Sequence, residues 1–166
     1  PVAWTGSEVL LLAGDYGTVT LTALNLDTGS QRDVPPPKAA APVLNGRPVG
    51  GTVFIPIDGG RVAAISNYQS RVPVLSIADA DLTGWEQVSL DAAPGGVDLT
   101  MVWTGDELVT PAPGGAAYSP ATGTWRRLAD YPAEVTEPYG PWVSGPAVAA
   151  GRLLVGPAGV YDLAAD

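Results

Sequence analysis

The chain has 166 residues, 46% of them hydrophobic and 15% charged, a balance that fits one globular domain with a sizeable core and not a disordered chain. Seventeen acidic against eight basic residues leave a net charge of -9, which repels phosphate backbones and anionic lipid, so neither nucleic acid nor a membrane is an expected partner. Histidine and cysteine are both absent, which removes the usual zinc and copper ligands, the usual base near neutral pH and any Ser-His or Cys-His nucleophile pair; no catalytic residue, metal site or cofactor is expected.

Ala3-Trp4-Thr5-Gly6-Ser7-Glu8-Val9-Leu10 reads as a short strand, a glycine turn and a second strand, and the pattern returns as Val102-Trp103-Thr104-Gly105-Asp106-Glu107-Leu108-Val109. A turn with another signature follows at Asp27-Thr28-Gly29-Ser30, closing a third strand and opening a fourth. Leu26 to Ser30 looks like half of an aspartic-protease signature, but that chemistry needs two carboxylates sharing a proton and no second copy is present. Turn geometry alone explains the Asp and the Gly. Pro1-Val2-Ala3 is neither an initiator methionine nor a signal peptide, so the chain reads as an excerpt or a processed product.

Asn45-Gly46-Arg47 is taken as a degenerate copy of the first turn, followed by a strand at Val53 to Ile57. Between first-turn and second-turn glycines the opening and third units have 23 and 18 positions (6 to 29, 105 to 123), and the second has 38 (46 to 84). That surplus predicts an inserted hairpin between the second and third strands of the unit, around Gly59 to Pro73, carrying Arg61, Asn67, Tyr68, Gln69 and Arg71. Arg61 to Ser66 is too short and too β-branched for a helix, and none is expected elsewhere. Asp79-Ala80-Asp81-Leu82-Thr83-Gly84 begins like an EF-hand loop, yet the twelfth position is Leu90 where a bidentate glutamate is needed.

In the third unit Gly114-Gly115 and Tyr118-Ser119-Pro120-Ala121-Thr122-Gly123-Thr124-Trp125 complete the pattern. The linker after it, Tyr131 to Pro146, is the longest and holds Tyr131, Glu134, Glu137, Tyr139 and Trp142. Ala150-Gly151-Arg152-Leu153 starts a last copy that runs to Val160-Tyr161-Asp162-Leu163. Paired glycines at 50–51, 59–60, 95–96 and 114–115 lack the lysine and the strand-to-helix context of a phosphate loop and read as turn and strand-end residues.

The stretch from Val102 to Trp125 resembles a bacterial kelch repeat of the galactose-oxidase-type propeller. The resemblance implies an all-β fold, a kelch-like β-propeller arc of about three and a half to four four-stranded blades, incomplete alone, with blades near 1–38, 39–92, 97–131 and 142–166. It also implies that Gly114, Gly115, Tyr118 and Trp125 hold a blade together. The first unit keeps Trp4-Thr5-Gly6 and has Ala13-Gly14 where the glycine pair belongs, but lacks the later tryptophan. Closed propellers have about 4 to 8 blades, so another chain or a segment of a longer parent is expected to complete this one.

In an antiparallel meander successive connections alternate between the two ends of the sheet, which puts the predicted insertion and the long linker on one face. The candidate ligand-binding set is therefore Arg61, Tyr68, Arg71, Tyr131, Glu134, Glu137, Tyr139 and Trp142. Polar groups mixed with aromatics suit a protein or glycan ligand, although Tyr139 and Trp142 equally suit packing beneath a proline-rich loop. The expected function is non-catalytic binding or scaffolding. The alternative is a propeller segment of a larger carbohydrate-active enzyme, a copper radical oxidase or sugar isomerase, whose catalytic residues lie outside this chain. Glu134 and Glu137 could pair as hydrolase acids, but one linker carrying both favours ordinary solvation. Few lysines with much alanine, glycine and proline, together with the resemblance, point to a bacterial extracellular protein.

Overall fold

The computed structural model of the chain describes residues 2–15, 18–38, 43–44, 47–48, 51–67, 72–111, 114–129, 148–150, 153–156 and 159–162. Almost all of its regular structure is β, and the chain divides into two compact units, Pro1–Leu90 and Asp91–Asp166.

The first unit opens with β1 (Val2–Trp4), β2 (Glu8–Asp15), β3 (Thr18–Asn25) and β4 (Gln31–Val34), an antiparallel meander in the order β1-β2-β3-β4. The Trp-Thr-Gly signature makes its first turn. The Thr5 hydroxyl accepts from the Glu8 amide at 3.0 Å and donates to the Glu8 carbonyl at 3.2 Å, and Gly6 supplies a φ of +101° that a Cβ would resist. Thr104 repeats those bonds with Glu107 at 3.2 and 3.1 Å, and Gly105 has φ +113°. Cross-strand pairs Ala3↔Leu10, Leu10↔Ala23, Leu12↔Leu21 and Leu21↔Val34 line up the apolar residues of alternating positions on one face, as the two-residue period of a strand requires.

Between the sheets Val43–Leu44 (β5) pairs with Arg47–Pro48 (β6) as a separate two-stranded ribbon. The second sheet is β7 (Thr52–Pro56), β8 (Val62–Ser66), β9 (Val74–Ala78) and β10 (Trp85–Val88), again a four-stranded antiparallel meander, with a 3₁₀ turn at Asp58–Gly60 between β7 and β8. This corrects the expected layout of the second unit. Its first turn is Asp58–Gly60 and not Asn45-Gly46-Arg47, and the extra pair of strands precedes the sheet instead of separating its second and third strands. From Gly59 to the second-turn Gly84 the spacing then resembles that of the first unit. The count of glycines misled because Asn-Gly at 45–46 reads as well for a turn as Asp-Gly-Gly at 58–60.

The two sheets share one core. Ala3, Leu10, Leu21, Ala23 and Val34 from the first meet Phe54, Val62, Ala64 and Ala78 from the second, with Leu82, and Leu12 and Trp85 pack against the cluster. Burying side chains such as Leu10 and Leu21 contributes about 1.5–3 kcal/mol each. Trp85 stacks on Phe54 with ring centroids 6.1 Å apart and donates its indole N–H to the Pro35 carbonyl at 2.7 Å, tying the second sheet to the end of β4.

The second unit contains β11 (Val102–Trp103), β12 (Leu108–Val109), β13 (Ala116–Ser119) and β14 (Thr124–Arg127) in one four-stranded antiparallel sheet, then β15 (Val148–Ala150), β16 (Leu153–Gly156) and β17 (Gly159–Asp162) in a three-stranded one. Val102, Val109, Ala117 and Leu128 form the core of the former. Before it, Gly96 bridges Gly115 in parallel, and a Cβ on Gly95 would overlap the carbonyl of Gly114. Two of the glycine pairs, 95–96 and 114–115, thus lie backbone against backbone. Tyr118 packs on Trp125 at 4.9 Å between centroids. The expectation of an all-β protein built of four-stranded antiparallel sheets is met, with three such sheets and a fourth of three strands.

Candidate functional site

Strand register supplies an alignment of the units that residue counting does not. Arg32 on β4 lies opposite Ala23, itself opposite Leu10, two residues beyond Glu8. Arg126 on β14 lies opposite Ala117, opposite Val109, two residues beyond Glu107. Both arginines reach diagonally across the third strand and grip their glutamate as a fork, closing at 2.7 Å in each sheet. Side-chain hydrogen bonding to Glu8 raises the already high pKa of Arg32, so this cation stays charged.

In the second sheet the same register places Arg61 at the glutamate position and Glu86 at the arginine position, through Glu86↔Ile77↔Ala63. The charges are exchanged. Arg61 is half-buried and donates its Nε–H to the Asp58 carbonyl at 3.3 Å, while its own carbonyl accepts from the Ile57 amide at 3.0 Å. Of the candidate ligand-binding residues it is the one the structure describes, and its place belongs to a pair of positions that hold sheets together elsewhere. Tyr68, Arg71, Tyr131, Glu134, Glu137, Tyr139 and Trp142 lie outside the described residues, as does Gln69. Asn67 is described: its side-chain carbonyl accepts from the Gly51 amide at 2.7 Å, and its amide donates to the Gly51 carbonyl at 3.0 Å. That residue closes the open end of the β7–β8 pair.

Several other carboxylates serve turns. In the EF-hand-like stretch both oxygens of Asp79 accept from Thr83, Oδ1 from the amide at 2.9 Å and Oδ2 from the hydroxyl at 2.7 Å. These bonds lower its pKa. They also lock a turn in which Leu82, fully buried, adopts φ +56°, a left-handed conformation that costs a leucine about 1 kcal/mol or more. In the protease-like turn Asn25, and not Asp27, does the binding: its Oδ1 accepts from the Asp27 and Thr28 amides at 3.0 Å each, leaving Asp27 exposed. Gly29 and Gly123 take the same φ of +69° and +68° in equivalent turns. Asp98 bonds Thr100, and Asp106 accepts from the Thr104 hydroxyl at 3.0 Å.

Among the described residues no three His, Cys, Asp or Glu side chains gather to hold a metal ion, and no helix is long and apolar enough to cross a membrane. One buried polar atom stands apart: the Thr110 hydroxyl, 1% exposed, has no hydrogen-bond partner among the described residues. Nothing in the sequence marked it. The chain matches no protein-family model and no curated protein.

Proposed function

We propose that this chain is a segment of a kelch-like β-propeller that acts as a non-catalytic binding or scaffold module, recognising a protein or glycan outside the bacterial cell through loops at one end of its sheets. The observation that carries the reading is how the described acidic side chains are used. Glu8 and Glu107 are held by arginines and Asp79 by a turn threonine, so these groups serve structure, and an acid–base or nucleophilic set needs more than they offer. Recognition then falls to the linker with Tyr131, Glu134, Glu137, Tyr139 and Trp142 and to Tyr68 and Arg71, where the sequence gathers aromatic and polar residues; aromatic anchors ringed by polar groups are the usual basis of such recognition. Another blade-bearing segment completes the propeller. A glycan array or a pull-down with the purified chain tests the binding role: a specific ligand should be retained by the wild type and lost on Tyr139→Ala with Trp142→Ala. Turnover of a sugar substrate by this chain alone would sink the proposal.

A further inference from the structure

One connection of the second sheet fastens it to the first. Residues 79–84 join β9 to β10, and two of them, with Trp85 just beyond, reach across the joint. Leu82 is buried in the shared cluster that holds Ala3, Leu10 and Val34. Asp81 lies within electrostatic reach of Arg32 on β4, whose positive charge is favoured first by its hydrogen bond to Glu8 and further by the charge of Asp81. Trp85 donates its indole N–H to the Pro35 carbonyl at 2.7 Å.

This turn is held under tension. Leu82 has the one positive φ among the described non-glycine residues, +56°, a conformation that persists only where the surroundings over-determine it. Three bonds do so, and all end on Asp79. Its carbonyl accepts from the Leu82 amide at 3.1 Å, and its carboxylate accepts from the Thr83 amide at 2.9 Å and the Thr83 hydroxyl at 2.7 Å. The two carboxylate bonds draw their strength from its charge, since bonds to an ionised acceptor are about twice as strong as neutral ones. Asp79 is exposed, so a proton reaches it without prior opening of the fold.

We infer that the 79–84 turn is an acid-sensitive clasp: a proton on Asp79 lets Leu82 leave its left-handed conformation and the core, and releases the Trp85 indole from Pro35, loosening the joint while the strands stay paired. The neighbouring charges act in the same direction. Asp81 in the turn, Arg32 on β4 and Glu8 on β2 form a run of opposite charges that also needs its carboxylates ionised. Asp33 on β4 and Glu86 on β10 lie on the other faces of their sheets by strand alternation, and Asp15 stands at the far end of β2 from Glu8. Hydrogen bonding from the Thr83 hydroxyl, then from its amide, lowers the Asp79 pKa from the ordinary 3.8. A depressed carboxyl stabilises the folded turn above that ordinary value, and the contribution is lost as the pH falls below it.

Exchange of the Trp85 indole N–H, followed by NMR on the whole chain from neutral pH down through 3.8, tests the clasp, with Trp85→Phe identifying the resonance. In the wild type the indole should lose protection at a higher pH than the backbone amides paired between β2 and β3, because a local opening precedes the global one. Asp79→Ala should lose that protection already at neutral pH with an unchanged far-UV spectrum. Should this variant fail to fold, Thr83→Val decides: lacking only the hydroxyl bond, it should move the loss to a higher pH, and no movement overturns the inference. Asp27→Asn, in a turn that Asn25 holds, should leave the wild-type profile unchanged, and an equal shift there counts against the clasp. Loss of indole and strand protection at one common pH, or full indole protection in a folded Asp79→Ala at neutral pH, overturns the inference as well.

Discussion

The Glu8–Arg32 and Glu107–Arg126 pairs are partly exposed, with arginine side chains 42% and 37% accessible, so each contributes no more than about 1 kcal/mol. Their larger effect is on register. A fork that spans from the second strand to the fourth fits one alignment of three strands and penalises a slip that would turn every core residue outward. The glutamates sit inside the repeated Trp-Thr-Gly turn and were visible there, but their partners are 24 and 19 residues away, on a strand whose pairing no local pattern displays. For the same reason Arg61 looked like a loop residue free to bind. Thr110 is the reverse case, a residue whose burial creates a cost. Its hydroxyl gives up water without a described partner, which costs about 1–3 kcal/mol, and Thr110→Val removes the polar atom at nearly constant shape. The variant should be more stable by about 1 kcal/mol on that principle, seen as a raised melting temperature; a lowered one would mean the hydroxyl is satisfied after all.

At the scale of elements, turn chemistry was the most readable feature, because a positive φ favours glycine strongly, with Leu82 at φ +56° the described exception. The turns at Gly6, Gly29, Gly105 and Gly123 were all legible, and all four adopt that conformation. The second unit was misread because its turn is a 3₁₀ turn with two glycines, Gly59 at φ +69° and Gly60 at φ +75°, which matches the other signatures poorly, while a better-looking Asn-Gly lay upstream in an extra ribbon. The glycine pair at 95–96 reads in the sequence as turn or strand-end residues; Gly96 does lie in a β-bridge, and close backbone approach at Gly95 is what the pattern does not display. Gly95→Ala should drive a methyl group into the Gly114 carbonyl and destabilise the Asp91–Asp166 unit by about 1–3 kcal/mol, the usual scale for overpacking. Gly96→Ala meets nothing within 4 Å and should stay within about 0.5 kcal/mol of the wild type. Urea denaturation of the two variants makes the comparison, and equal losses from both would show that backbone freedom matters here instead of space.

For the molecule as a whole, the decisive question is whether a sheet is a folding unit. Isolated four-stranded sheets of this size leave one face or both in water, and the first unit answers by merging two of them over a single cluster from Ala3 to Leu82. That merger explains why the sequence revealed the sheets but not the way they meet: period-two patterning says which residues are buried, and the partner face is set by register and by single contacts such as the Trp85 indole on the Pro35 carbonyl. The consequence is cooperativity across the two sheets. Leu10→Ala removes a fully buried side chain from β2 and should cost about 2–5 kcal/mol, as large-to-small changes in cores do. Because Leu10 shares its cluster with Phe54, Val62 and Ala64, the loss should reach amides in β8 and β9 as well as in β2 and β3. Native-state hydrogen exchange, resolved by strand, measures this: protection should fall by a similar free energy in both sheets, since elements that open together report one common unfolding. Loss confined to β1–β4 would show that the second sheet stands without the first, and the stacking of sheets would then be an accessory contact and not what holds the Pro1–Leu90 unit together.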